Sequence, residues 1–292
     1  MRSITISIMC YNYGPYLDRA IESCLQQSGH DLDVNVLVID DGSTDNTPEV
    51  CRRYSEHIRT LRSENRGFSA SLTRSIREAR GNYVCLLDAD DYFAETKLRE
   101  IEPAILEGYD LIEHKAYRID DSGELLSQEP KGGGSTSTLC IRKKKALDLL
   151  PAHNEIYFHA LKHLGRATKI DKPLTYYRVH GDSMIRSREQ ADWYDELATV
   201  THRLADQLEE LSRQPPDWTG ESALMNASRI YRTTATYDEM EAELLRGRHF
   251  KALQKCGRMF RHAVSTPDGI GVWHIKLAAR CLQGRAIERR CH

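Results

Sequence analysis

Apolar residues along the N-terminal third of the chain follow two alternating rhythms. Ile4, Ile6 and Ile8 recur at every second position, the period of a strand. Residues 16–27 place Leu17, Ile21, Cys24 and Leu25 at helical spacing. Val34-Asn35-Val36-Leu37-Val38-Ile39 is an apolar run too short for a helix and predicts a buried strand. A helix to about residue 58 follows, capped by Asp45 or Thr47 with Pro48 in its first turn. Residues 60–62 predict a short strand, residues 69–80 a helix closed by Gly81, and residues 82–88 another strand. The alternation β-α-β-α-β-α-β predicts an α/β fold, a mostly parallel central sheet with flanking helices.

The rhythm then weakens. Residues 95–107 predict a helix and residues 109–119 a strand, followed by a turn at Asp120-Asp121-Ser122-Gly123. Lys131-Gly132-Gly133-Gly134-Ser135 reads as a flexible loop, either a linker or a flap over a ligand. Residues 145–150 and 154–164 predict helices, and residues 174–179 a strand. From about residue 189 the pattern is helical, interrupted at Pro215-Pro216 and at Pro267-Asp268-Gly269. This divides the chain into a sheet-containing domain, residues 1–185, and a helical C-terminal extension, residues 186–292.

Composition narrows the classes. The chain has 292 residues, 40% hydrophobic and 29% charged, enough for a sizeable core. Its formal net charge of −2 carries no nucleic-acid footprint. No run approaches the ~18 apolar residues of a membrane span. The first residues read as a strand rather than a signal peptide. Eight cysteines are scattered without a Cys-x-x-Cys pair, which predicts reduced thiols and a cytoplasmic location. The charge is segregated. From Arg246 onward there are eleven basic and two acidic residues, a net +9, which leaves −11 for the preceding 245 residues. Such a tail suits an anionic partner.

Two carboxylate clusters fall at predicted strand ends, Asp40-Asp41-Gly42-Ser43-Thr44-Asp45 and Asp88-Ala89-Asp90-Asp91. Open α/β sheets bind ligands outside the carboxyl ends of their strands, and adjacent parallel strands would bring the clusters to one crevice. Uncompensated acid there calls for a cation, and hard oxygen ligands select Mg²⁺ or Mn²⁺. In extended geometry Asp88 and Asp90 lie on one side of the chain and can share an ion that also holds a diphosphate. Either cluster alone reads equally as a turn and helix cap.

Several blocks then resemble one family. Ile8-Met9-Cys10-Tyr11-Asn12-Tyr13, followed by residues 17–27, is similar to the opening of family 2 glycosyltransferases. So are Val38-Ile39-Asp40-Asp41-Gly42-Ser43-Thr44-Asp45-Asn46-Thr47, Glu64-Asn65-Arg66-Gly67-Phe68-Ser69-Ala70 and Leu87-Asp88-Ala89-Asp90-Asp91. The resemblance covers residues 3–185, with the blocks in order at the usual spacing. It implies the A-type glycosyltransferase fold, which is Rossmann-like, a nucleotide-sugar donor, a divalent metal and inversion at the anomeric carbon. It implies that Tyr11 and the backbone near Cys10 and Asn12 flank the base. Asp40, with Asp41 beside it, would accept from the base, uracil N3–H. Asp88, with Ala89 next to it, would contact the ribose or the metal's water shell, and Asp90 would ligate the metal. One departure matters. Many members carry Arg-Asn where this chain has Leu72 and Thr73, so Arg66 or Arg74 substitutes or the contact is absent.

Inversion needs a general base for the acceptor hydroxyl. The resemblance points to Glu155, with His153 second; Glu155 otherwise reads as an acid favoured by a helix N-terminus. Leu174-Thr175-Tyr176-Tyr177-Arg178-Val179-His180-Gly181-Asp182-Ser183-Met184 resembles the block that closes the catalytic domain. It implies His180 as a further metal ligand or a diphosphate contact, and Arg178 as a phosphate contact or the partner of an acid. In the tail, Phe250, Leu253, Cys256, Phe260 and Ala263 form one helical stripe edged by Lys251, Lys255, Arg258 and Arg261. The stripe suits packing on the protein's own core, an oligomer contact, or peripheral contact with a membrane. The expected function is transfer of a sugar from UDP to a hydroxyl of a cell-surface glycan or lipid-linked glycan. The alternatives are a non-catalytic nucleotide-sugar scaffold or sensor, and a nucleotidyltransferase.

Overall fold

The computed structural model describes residues 2–180 and 189–264, with side chains up to residue 259. It divides into two compact units, Met1–His180 and Gly181–His292. The motif residues Gly181 to Met184 lie outside the described residues.

The first unit runs β1 (Ser3–Cys10), α1 (Gly14–Leu25), β2 (Asp33–Asp40), α2 (Thr47–Arg53), β3 (Arg59–Arg62), α3 (Phe68–Glu78) and β4 (Tyr83–Asp88). It continues β5 (Tyr92–Phe93), α4 (Lys97–Glu107), β6 (Leu111–Ile119), a 3₁₀ turn (Thr136–Thr138), β7 (Leu139–Arg142), α5 (Lys143–Asp148), α6 (Ile156–His159), α7 (Leu161–Leu164) and β8 (Ala167–Arg178). The sheet order is β3-β2-β1-β4-β7-β6-β8-β5. Strands β3, β2, β1 and β4 are parallel, β7 runs antiparallel to β4 and β6, and β6 and β8 are parallel. The predicted α/β architecture is therefore present as a mixed sheet. One expectation is corrected. β2 and β4 are not neighbours but flank β1, because the chain reverses direction across the sheet there.

β1 is buried on both sides. Ile4, Ile6 and Ile8 join the core with Leu17, Ile21 and Val38. Burying each such side chain is worth about 1.5–3 kcal/mol. The intervening Thr5 and Ser7 are buried too, and Thr5 Oγ1 accepts the amides of Arg80 and Gly81 at 3.0 and 2.9 Å. Gly81 is required there, since a Cβ would lie 2.6 Å from the Ile4 backbone. α2 stops at Arg53 rather than near residue 58, because the Tyr54 carbonyl takes the amides of His57 and Ile58 in a separate turn. β8 starts at Ala167, earlier than the apolar pattern shows. Its first residues are largely solvent-facing, and Pro173 sits where the β6–β8 register slips. The glycine-rich loop is anchored rather than loose. Lys131 and Ala116 exchange backbone hydrogen bonds of 2.8 and 3.1 Å, and a Cβ on Gly133 would collide with the His114 carbonyl.

The second unit contains α8 (Gln190–Leu211), α9 (Glu221–Leu245) and α10 (His249–Val264). α8 and α9 are antiparallel: Arg232 pairs with Asp206 and Glu209, and Arg246, at the far end, with Asp192 and Asp195. α10 buries Ala252, Cys256 and Met259 against Tyr237, Met240 and Leu244 of α9. This corrects the predicted stripe. Cys256 is on the buried face, whereas Phe250 and Leu253 are exposed; the side chains of Phe260 and Ala263 lie outside the described residues. No helix among the described residues is long and apolar enough to cross a membrane. Cys10, Cys24, Cys51, Cys85, Cys140 and Cys256 are buried and unbridged.

Candidate active site

The carboxyl ends of β2, β1 and β4 lie side by side, with Cys10 opposite Asp40 and Met9 opposite Asp88. The chain leaving β1 therefore runs between the two acidic clusters. Asn12 adopts the left-handed region at φ 60°, held by its own bonds: its amide donates to Ser43 Oγ at 2.9 Å and its Oδ1 accepts the Thr44 amide at 2.7 Å. Tyr11 is exposed at this edge. The Cys10 side chain turns inward to Thr47 Oγ1, 3.6 Å away, and burial pushes its thiol up to about 12, so it stays neutral.

Asp40 and Asp41 are adjacent and do different work. Both Asp41 oxygens are occupied by backbone, Oδ1 by the Arg66 amide at 2.9 Å and Oδ2 by the Gly67 amide at 2.7 Å. Asp41 thus ties the loop before α3 to the end of β2. Gly42 permits this at φ 80°, where a Cβ would lie 2.7 Å from the Asn65 amide nitrogen. Asp40 is 1% exposed, and its Oδ1 accepts the Ser43 amide at 2.8 Å. Its Oδ2 is buried without a hydrogen-bond partner, with Arg62 Nε 3.5 Å away. A buried acceptor left in this condition is unfavourable until a donor reaches it. The sequence patterns did not point to Arg62. It lies opposite Asp40 in the β2–β3 register, which strand pairing alone would have revealed.

The second cluster is a turn, not an extended strand. The Asp91 amide donates to the Asp88 carbonyl at 3.1 Å, and Ala89, fully buried, donates to the Met9 carbonyl at 3.1 Å. This corrects the expectation that Asp88 and Asp90 share one side of an extended chain. Their carboxylates are nonetheless close. Burial first, then the charges of Asp90 and Glu155, push the Asp88 carboxyl well above the usual range. Burial, Asp90 and Asp88 do the same to Asp91. Glu155, immediately before α6, is near enough for its charge to act on Asp88, and burial raises its own carboxyl. Asp90 Oδ2 lies 3.0 Å from His180 Nε2, and the His180 ring packs between Tyr13 and Tyr16, 5.8 Å from each.

Two residues hold this turn from behind. Arg178 is buried, and its guanidinium donates to the carbonyls of Asp90, Asp120 and Asp121 at 3.0, 2.8 and 2.7 Å, while its amide donates to Asp91 Oδ1 at 2.8 Å. Neither expectation for the Arg178 side chain describes these bonds: the guanidinium is spent on backbone carbonyls, and only the backbone amide reaches an acid. Ser137 Oγ accepts the Asp88 amide at 3.0 Å and donates to Asp88 Oδ2 at 3.4 Å. The Ser137 carbonyl accepts from Lys97 Nζ at 3.2 Å and from Thr175 Oγ1 at 2.8 Å. No local pattern marks Ser137, because its partners are distant in sequence. His153 lies against Ser69, with Nδ1 3.5 Å from Oγ. Thr73, at the position of the family asparagine, hydrogen-bonds both the amide and the carbonyl of Ala152, and Leu72 is buried. α3 is therefore used to anchor the segment that carries Glu155.

The donor set suits a hard divalent cation. Asp90 and His180 are in contact next to the buried carboxyls of Asp88 and Asp91, and Asp91 Oδ2 has no hydrogen-bond partner. No group of three or more His, Cys, Asp or Glu side chains among the described residues is arranged to hold a metal ion, so a cation here would depend on one or two carboxylates and on substrate phosphates.

Comparison with known proteins agrees with this geometry. The family model described as glycosyl transferase family 2 matches residues 5–166. An uncharacterized glycosyltransferase of Nostoc sp. is 28% identical over 211 residues, 61% of this chain and 65% of that one. Glycosyltransferase GlyG of Streptococcus pneumoniae is 30% identical over 124 residues, 41% of this chain and 40% of that one. The matched stretches thus span less than two thirds of these relatives' length. Among solved structures, S. aureus TarS 1-349 in complex with UDP superposes with a TM-score of 0.58 at 17% identity, covering 98% of this chain and 92% of that one. The same TarS fragment in complex with UDP-GlcNAc also gives 0.58. At that identity the likeness establishes the fold, the A-type glycosyltransferase fold. With the family model matched across more than half of its length, the chain belongs to glycosyl transferase family 2.

Proposed function

We propose that the protein is an inverting glycosyltransferase that moves a sugar from UDP to a hydroxyl of a cell-surface glycan or lipid-linked glycan. The observation that carries the donor reading is Asp40 Oδ2, a buried acceptor without a hydrogen-bond partner at the end of β2. Uracil presents an N3–H donor to such an oxygen; cytosine does not. Tyr11 borders the same edge, and the TarS structures that share the fold hold UDP and UDP-GlcNAc.

The diphosphate then lies toward the Asp88–Asp91 turn. Asp90 would ligate a divalent cation, Mg²⁺ or Mn²⁺, with His180 as a further ligand and Asp88 at its water shell. Such a cation, when bound, neutralises the departing diphosphate. Glu155 is the general base. Its raised carboxyl makes it a stronger proton acceptor than a surface glutamate, and the reach of its charge to Asp88 supports a role near the reacting end of the donor. The acceptor hydroxyl gives its proton to Glu155 as its oxygen attacks the anomeric carbon opposite the leaving diphosphate. The unbridged cysteines are in keeping with work in the cytoplasm.

The test is calorimetric titration of UDP, GDP and UDP-sugars with and without Mn²⁺, on wild type, Asp40→Asn and Asp90→Ala. Metal-dependent UDP binding that weakens in the first variant and vanishes in the second supports the reading. No binding of any nucleotide sinks it. Binding without turnover on any acceptor would instead favour a nucleotide-sugar sensor.

A further inference from the structure

α10 has two apolar faces, and only one is used. Ala252, Cys256 and Met259 pack on α9. Phe250 and Leu253 face the opposite way, 72% and 38% exposed, and Gly257 beyond them has open space where a Cβ would be. A phenylalanine this exposed contributes little to the packing of the described part of its unit. The charges around it are of one sign. The 16-residue helix contains Lys251, Lys255, Arg258 and Arg261 and no acid. Lys255 is taken by Glu239 at 2.6 Å, but Lys251 and Arg258 are exposed on the flanks of the outer face.

We propose that this outer face of α10 docks on a bilayer surface containing anionic lipid. An occupant must accept an aromatic side chain and supply negative charge around it. A headgroup–acyl boundary does both: Phe250 and Leu253 enter the boundary while Lys251 and Arg258 reach lipid phosphates. Arg246 and Lys255 are spent on acids of α8 and α9, so among the described residues the attraction rests on Lys251 and Arg258. The helix lies on the surface rather than crossing it, since none among the described residues is apolar enough to span. This holds whether or not the chain transfers sugar.

The experiment is co-sedimentation of the full chain with phosphatidylcholine vesicles, with and without phosphatidylglycerol. Wild type is expected to bind only the phosphatidylglycerol vesicles and to be released by high salt. Phe250→Asp should weaken binding by about tenfold or more, and Lys251→Glu with Arg258→Glu by a similar factor. UDP affinity and melting temperature should not change, because these side chains are exposed and outside the donor site. Indifference to phosphatidylglycerol, or unaltered binding by Phe250→Asp, overturns the proposal. So does a fall in melting temperature, which would mean that the chain covers this face itself. A dimer in gel filtration that Phe250→Asp dissociates would assign the face to a second copy instead.

Discussion

The two acidic clusters look alike in the sequence, and the fold treats them in opposite ways. At the end of β2, backbone amides engage three of the four carboxylate oxygens of Asp40 and Asp41, and Arg62 stands 3.5 Å from the fourth. At the end of β4, Asp88, Asp90 and Asp91 are brought together in a buried turn that raises the carboxyls of Asp88 and Asp91. The first cluster is satisfied except for one oxygen, which on the proposed reading takes a neutral N–H donor. The second gathers buried carboxyls whose repulsion, on the same reading, a divalent cation would relieve. The difference arises from where the amides point rather than from the number of acids.

The largest effect should come from removing the cation side of this contrast. Asp90→Ala is expected to abolish Mn²⁺-dependent UDP binding and lower turnover by about a thousandfold or more, since electrostatic stabilisation of a leaving group of this kind is worth several kcal/mol. Asp90→Ala retaining the affinity and Mn²⁺ response of wild type would show that the two clusters do not differ as described. Glu155→Gln separates base from binding. Turnover should fall by about a hundredfold to ten-thousandfold with UDP affinity unchanged, because a general base acts only on the transition state. Equal losses in both would make Glu155 part of the donor site.

Smaller changes probe the amide side. Asp40→Asn should weaken UDP by about tenfold and leave stability near wild type, because the amide oxygen can keep the Ser43 bond while the vacant acceptor changes character. Asp41→Ala should do the reverse. It removes two charge-assisted bonds to backbone amides, and a loss of about 2–3 kcal/mol in denaturant unfolding is expected. If Asp41→Ala instead weakens UDP with no loss of stability, its place as a turn holder is wrong.

The parallel half of the sheet could be read from the sequence because its strands are apolar on both sides and its helices carry one clean stripe. β1, β2, β4, α1 and α3 fall within a few residues of their predicted positions. The other half could not be read as well. β8 begins among Thr168, Lys169 and Asp171, where solvent on the strand removes the hydrophobic signal. At the site, the Asp40 and Asp88–Asp90 clusters are read from strand ends, while Glu155 and His180 come from motif resemblance; in the fold His180 contacts Asp90, and Asp88 feels the charges of Asp90 and Glu155. What the motifs hid is the supporting layer. Ser137, Arg62 and the carbonyl-binding role of Arg178 depend on long-range register, which local periodicity does not carry. The strand order was missed for the same reason, since nothing in a single strand states its neighbours.

Lys97 sharpens the contrast at its smallest scale. It opens α4 beneath the second cluster, fully buried, with Nζ 3.3 Å above the centre of the Phe93 ring. Burial pushes its pKa down from 10.5 to about 8, against the opposing pull of the Cys85, Cys140 and Cys24 thiols and of Asp91, so at neutral pH it still faces the turn mostly as a cation. The sign follows from proton counting. Between about 8 and 10.5 the unfolded chain holds the Lys97 proton more tightly than the folded one, so this residue's unfavourable contribution shrinks as pH rises through that window. Lys97→Met keeps the volume and removes the titration. The stability of wild type relative to Lys97→Met should therefore rise with pH across the window, by at most about 1.4 kcal/mol per pH unit. Below pH 8 the difference should be flat. A difference that stays flat from pH 7 to 10 in paired thermal melts would mean that the fold holds the Lys97 proton as tightly as the unfolded chain does, and that burial does not depress this amine.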